Sequence, residues 1–199
     1  MSRARPELPS ERPREPRIPP LPPEEWTDDV RGLMVPSQPD GGPPLNIFTT
    51  LARHPKLFAS WLAFGGRLLV AGTIPARDRE LVILRTAFNC RSAYEWGQHV
   101  RIARDAGIDD ATIARVARWP RDGGWDEHDS ALLLAADELH RDAIITDATW
   151  GALAARYDDR QLIELTMLVG QYHLVAFALN SLGVQPEPGL EPLPDATEG

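Results

Sequence analysis

Proline divides this chain into unlike parts. Twelve of its nineteen prolines lie in residues 1–44, and none lies between 121 and 185. Proline removes a backbone donor and clashes inside a helix, so a dense run of it bars regular helix, while its absence leaves a long stretch free to be helical. No segment keeps a period-two alternation for long, so strands are not indicated. The pattern predicts an all-α domain of about seven or eight helices over residues 45–184. A Pro-rich, largely extended or disordered arm (1–44) precedes it, and a flexible tail (185–199) follows.

Apolar spacing and stop signals place the helices. A short one fits EEWTDDVRGLM (24–34). Two more, about 46–53 and 55–71, are parted by Pro55, and Pro75 is placed to open the next, 77–90. Then come 92–106, closed by Gly107, and 109–119, opened by an aspartate cap. The last three are 126–142, 146–157 and the longest, 158–183, which ends at Gly183.

Net charge is −8 and the positive charge is almost all arginine, with Lys56 the single lysine. The balance argues against a nucleic-acid partner, which would call for a basic stripe. Cys90 is the only cysteine, so no internal disulfide forms. That fits a reducing, cytoplasmic setting. No uncharged apolar run suggests a membrane span of roughly 18 residues. The longest candidate, LTMLVGQYHLVAFALNSLG, is interrupted by Gln171, Tyr172, His173 and Asn180.

The chemistry-bearing residues concentrate in 77–107. Glu80 shares a helix face with Leu84 and Ala87, which points a carboxylate toward the core. There it needs a partner or a proton. The plainer account is a first-turn acid favoured by the helix dipole. On the next helix Ser92, Glu95 and His99, spaced by three and four, stack along one stripe over roughly 10 Å. Glu95 lies in reach of His99 and can orient it. A surface Glu–His pair would have the same spacing. Tyr94 and Trp96 flank the stripe as apolar walls. Arg85 is either a carboxylate binder or a structural arginine. Tyr172 and His173, polar groups inside the apolar last helix, either line a site or sit satisfied in the core. His54, His128 and His140 read as ordinary helix-end or surface residues.

This arrangement resembles the carboxymuconolactone decarboxylase family, which includes the AhpD-type alkylhydroperoxidases. There a helix carries a glutamate, and twelve residues later the thiol branch begins Cys-x-x-Cys-x-x-x-His. Counting back from His99 puts Glu95 and Ser92 at the two thiol positions and Glu80 at the glutamate, without a gap. The following GIDDATIARV is similar to the family's next element. Both thiols are replaced, so the paired-thiol chemistry of the AhpD branch is not available to this chain alone. Glu95, four before the histidine, resembles the decarboxylase branch, and Cys90 is left as a packing residue. The resemblance implies an AhpD-like helical bundle, no cofactor and no metal, and a homo-oligomer, trimer or hexamer before dimer. It also implies a carboxy-lyase-like reaction on a small unsaturated carboxylic acid or lactone. His99, Glu80 and Glu95 would carry the chemistry, with Ser92, Arg85, Tyr94, Trp96, Tyr172 and His173 around the substrate. An AhpD-like redox protein and a non-catalytic member of the fold are the alternatives.

Overall fold

The computed structural model describes residues 12–34 and 42–195; residues 1–11, 35–41 and 196–199, parts of the expected arm and tail, lie outside them. Among the described residues there are nine α-helices and no strand. In chain order they are α1 (Asp28–Met34), α2 (Asn46–Leu51), α3 (Pro55–Val70), α4 (Ala76–Asn89), α5 (Ala93–Asp105), α6 (Asp110–Arg118), α7 (Glu127–Asp142), α8 (Asp147–Ala154) and α9 (Asp159–Leu182). Eight belong to the domain expected from the sequence, and α1 is the short helix in the arm.

The bundle is built around α4. Leu81, Val82, Ile83, Leu84 and Ala87 are fully buried, so the helix is apolar on nearly every side. Such a helix can only lie inside a core, and α5, α6, α7 and α9 pack around it. Each of its leucines and its isoleucine contributes about 1.5–3 kcal/mol by leaving water. Truncating Leu84 to alanine would cost about 2–5 kcal/mol. Several outer helices carry side-chain N-caps: Asp109 accepts from Thr112 N–H, Asp126 from Asp129 N–H, and Thr146 from Thr149 N–H. Asp158 and Gln161 form a full capping box on α9.

The α4–α5 turn positions the site. Cys90 closes α4 and Arg91 takes a left-handed conformation, φ 50°. Ser92 N–H then reaches back to the Ala87 carbonyl (2.9 Å), and Arg91 N–H reaches the Phe88 carbonyl (3.0 Å). This is a Schellman closure with arginine where glycine is usual. It folds α5 directly back along α4.

α9 passes the length and composition test for a membrane span, which corrects the expectation that no such segment exists. Half of its apolar window is buried against the domain, however, and α3, α4, α5, α7 and α8 all touch it. In this fold it is a core helix.

The two end segments lie on the domain. Arg17 and Ile18 N–H donate to the Leu182 carbonyl, and Leu21 N–H donates to that of Thr49. Arg53 holds the Pro19 and Pro20 carbonyls. Val30 and Met34 bury against Ala52 and Phe58. Gly183 is needed twice: its φ is 70°, and a Cβ there would meet the Glu15 carbonyl at 2.8 Å. The segment expected as a flexible tail crosses α5 so closely that a Cβ on Gly97 would lie 2.8 Å from Leu190.

Candidate functional site

α4 and α5 bring Glu80 and His99 together. Glu80 Oε2 lies 2.7 Å from His99 Nδ1, and Glu80 is completely buried. Arg79 Nε donates to the other carboxylate oxygen at 2.9 Å. Burial alone would raise the Glu80 pKa. The adjoining imidazole, with Arg79 behind it, more than offsets that, so the carboxyl is held below its ordinary range. An ionised Glu80 accepts the proton on His99 Nδ1, which leaves Nε2 as the other ring nitrogen. No hydrogen bond to Nε2 occurs among the described residues. Tyr172 from α9 meets the imidazole edge-on, with ring centroids 4.9 Å apart.

Glu95 behaves in the opposite way. Neither of its oxygens has a hydrogen-bond partner among the described residues. Burial drives its carboxyl well above the usual carboxylate range; the neighbouring Ser92 hydroxyl pulls weakly the other way, its oxygen falling short of bonding geometry. Burial thus favours the protonated form of the Glu95 carboxyl. The expectation that Glu95 orients His99 is corrected: Glu80 does so, across the hairpin.

His99 and Glu95 border a cavity of about 370 Å³, with Glu80 behind His99. Its walls are mostly apolar, with Ile47, Phe48, Trp61, Leu69, Ile102 and Val175 prominent, and Tyr94, Glu95, Gln98, His99, Gln171 and Tyr172 are the polar residues among them. Among the described residues, no arginine or lysine lines it. Glu187, from the segment after α9, accepts from the Tyr94 hydroxyl (2.8 Å), Gln98 Nε2 (2.6 Å) and Asn46 N–H (2.7 Å), so one carboxylate ties α2 and α5 at this wall.

Of the residues picked from sequence, His99, Glu80, Glu95, Tyr94 and Tyr172 meet at or behind the cavity. Four do not line it. Arg85 is paired with Asp137 (2.6 Å), donates to the Val116 carbonyl and lies over the Phe88 ring, so it is structural. Trp96 packs into the main core beside Phe88. Ser92 is fully buried at the start of α5. His173, one residue on from Tyr172, turns away to His140 and Cys90.

Sequence reasoning missed Trp61, Gln98 and the seating of Gln171. One signal for Gln171 was present: Gly65 and Gly66 lie side by side within α3, and a Cβ on Gly65 would stand 3.1 Å from Gln171 Nε2. Burial pushes the chain's one thiol up to about 12, which makes Cys90 a poor nucleophile. Glu80, Glu95 and His99 do not form a metal-binding cluster; among the described residues the one such grouping is Cys90, His140 and His173.

Residues 55–138 match the sequence model of the carboxymuconolactone decarboxylase family. No curated protein matches the chain. Among solved structures, it is similar to an alkylhydroperoxidase AhpD core, an uncharacterized peroxidase-related protein from Ralstonia eutropha JMP134. That match has 21% identity and TM-score 0.77, covering 87% of this chain and 93% of the other. A peroxidase-related protein from Silicibacter sp. TM1040 aligns with 17% identity and TM-score 0.77 over 91% of this chain and 97% of its own. The debrominase Bmp8, as a cysteine-to-alanine variant with 2,3,4-tribromopyrrole, aligns with 14% identity and TM-score 0.72 over 86% and 91%. At these identities the likeness establishes the fold.

Proposed function

Taking residues 55–138 as a carboxymuconolactone decarboxylase family segment within an AhpD-like bundle, we propose that the chain is a cofactor-independent acid–base enzyme of carboxy-lyase type. Its substrate is a small unsaturated carboxylic acid or lactone. The observation that carries this reading is His99, with Nδ1 held by buried Glu80 and Nε2 free at a mostly apolar cavity.

The neighbouring Glu95 strengthens it. Environments that push two carboxyls in opposite directions assign one as the charged partner and the other as the acid. Glu80 steadies the imidazole as it gains and loses a proton. In a decarboxylation, the electron pair of the broken carbon–carbon bond passes into a conjugated carbonyl as CO₂ departs. Nε2–H of the imidazolium or the Glu95 carboxylic acid then protonates the substrate carbon, and solvent restores the proton. With no cationic side chain among the described wall residues, a substrate carboxylate sits desolvated against hydrocarbon. Loss of CO₂ relieves that penalty.

Paired-thiol peroxidase chemistry has less support, since Ser92 and Glu95 occupy the thiol positions and Cys90 stands alone. The test is turnover of a panel of small unsaturated acids and lactones, followed by CO₂ release and ultraviolet absorbance. Native protein should process a member of the panel, while folded His99→Ala and Glu80→Gln should not. Equal turnover by all three would end the proposal. The chain is further proposed to act as a homo-oligomer.

A further inference from the structure

Three helices deliver a second group of reactive side chains outside the cavity. Cys90 ends α4, His140 lies in the last turn of α7, and His173 sits midway along α9. His140 Nδ1 is 2.9 Å from His173 Nε2 and 4.0 Å from Cys90 Sγ. One ligand atom from each of the three lies within 4.8 Å of the other two. Nothing in the proposed reaction uses them.

We infer that Cys90, His140 and His173 form a binding site for a single zinc-type divalent ion. Three features support this. First, the spacing is close to what one tetrahedral ion needs. Bonds of about 2.0–2.3 Å to nitrogen and sulfur place neighbouring ligand atoms roughly 3–4 Å apart. The two imidazoles need open only slightly, and the sulfur close only slightly.

Second, His173 is already set as a ligand. Its Nδ1 donates to the Val169 carbonyl at 2.8 Å, which fixes the tautomer and aims the Nε2 lone pair at His140. A backbone carbonyl behind a ligand histidine is the usual outer support of such sites.

Third, the cluster has a sheltered side and an open side. Cys90 is buried, His173 is half-buried and His140 is exposed, so an ion has a way in from solvent and a dry thiol to meet. One thiolate and two imidazoles suit zinc and its cobalt substitute, and disfavour magnesium or calcium. The set leaves one position for water or an incoming ligand. On binding, the Cys90 thiol gives its proton to solvent, and His140 moves its proton from Nδ1 to Nε2. No oxidation is involved.

The test is a Co²⁺ titration of the full chain after chelator dialysis, followed by displacement with Zn²⁺. The expected result is one Co²⁺ per chain with a thiolate-to-cobalt charge-transfer band, bleached by Zn²⁺. Cys90→Ser should lose the band. His140→Ala and His173→Ala should each weaken binding by at least about tenfold. His140 is exposed, so its variant keeps the test decisive should Cys90→Ser fail to fold. His99→Ala should bind Co²⁺ as the native chain does, which separates this site from the cavity and from the proposed reaction. Absence of the band, unchanged affinity in both histidine variants, or loss of binding in His99→Ala would each overturn the inference.

Discussion

Glu80 on α4 and Glu95 on α5 are both buried, and the fold pushes their carboxyl pKa values in opposite directions. Glu80 is stabilised as a carboxylate by the imidazole and Arg79. Glu95 has no hydrogen-bond partner among the described residues, and burial raises its carboxyl well above the usual range.

His99→Ala is expected to lower kcat/KM by about 10²–10⁴-fold, the usual contribution of a positioned proton-transfer group. Glu80→Gln keeps the shape but forfeits the charge that supports the imidazolium. It should lower kcat more than it changes KM and move the pH–rate profile. A KM effect alone would make Glu80 a packing residue.

Glu95→Gln should alter stability in a pH-dependent way. A carboxyl whose folded pKa is raised gives its full stabilisation below its unfolded value. It loses that stabilisation as pH rises toward the folded value, by about 1.4 kcal/mol per pH unit while the proton is retained only in the folded chain. The glutamine variant lacks this loss. Its stability relative to native should therefore grow from pH 5 to pH 8 in urea unfolding, and a flat difference would contradict the assignment.

Asp137 accepts from Arg85, from Asn89 (2.7 Å) and from the Trp119 indole (3.1 Å). Asp137→Ala strands the Arg85 guanidinium and should cost about 3–5 kcal/mol. Folded protein at low temperature should keep its KM, because neither residue lines the cavity. A raised KM with unchanged stability would return Arg85 to the substrate.

On α9, Ile163, Met167, Leu174 and Phe177 are all about half-exposed or more, at spacings of four, seven and three. The exposed Gly170 completes a stripe of alternating steps of four and three, as in helices that pair along a seam. The proposed homo-oligomer, trimer or hexamer before dimer, should use it. Leu174→Asp with Phe177→Asp should shift sedimentation toward the monomer. A native chain that is monomeric at every concentration would refute the assembly.

Ala143 closes α7 with φ 59° and is exposed. Ala143→Gly should raise stability by about 1 kcal/mol in thermal unfolding, since only glycine takes that conformation freely. Lower stability would mean that the lost alanine contacts outweigh the strain.

The spacing of 80, 95 and 99 was legible because it lies within two regular helices, where residue number fixes direction. Which carboxylate holds His99 was not legible: Glu95 is nearer in sequence, but the partner comes from another helix. Gly107 announced the end of α5, whereas the same closure of α4 at Arg91 carries no glycine to mark it. Cys90 and His140 looked ordinary and His173 was assigned to the substrate, because the meeting of the three depends on how three helices pack. The proline-rich arm has little to bury, so hydrophobic patterning could not see that backbone carbonyls and arginines fasten it.

Gln185 Nε2 donates to the Pro13 carbonyl, and Arg12 reaches the Cys90 carbonyl at the base of the hairpin. The first and last described stretches thus grip one another as well as the helices between them. A protease cut in either strand should loosen both at once, and the damage would travel through Glu187 to the very wall where Tyr94 and Gln98 stand. Trimming this chain to the family-matched core would take away its clasp.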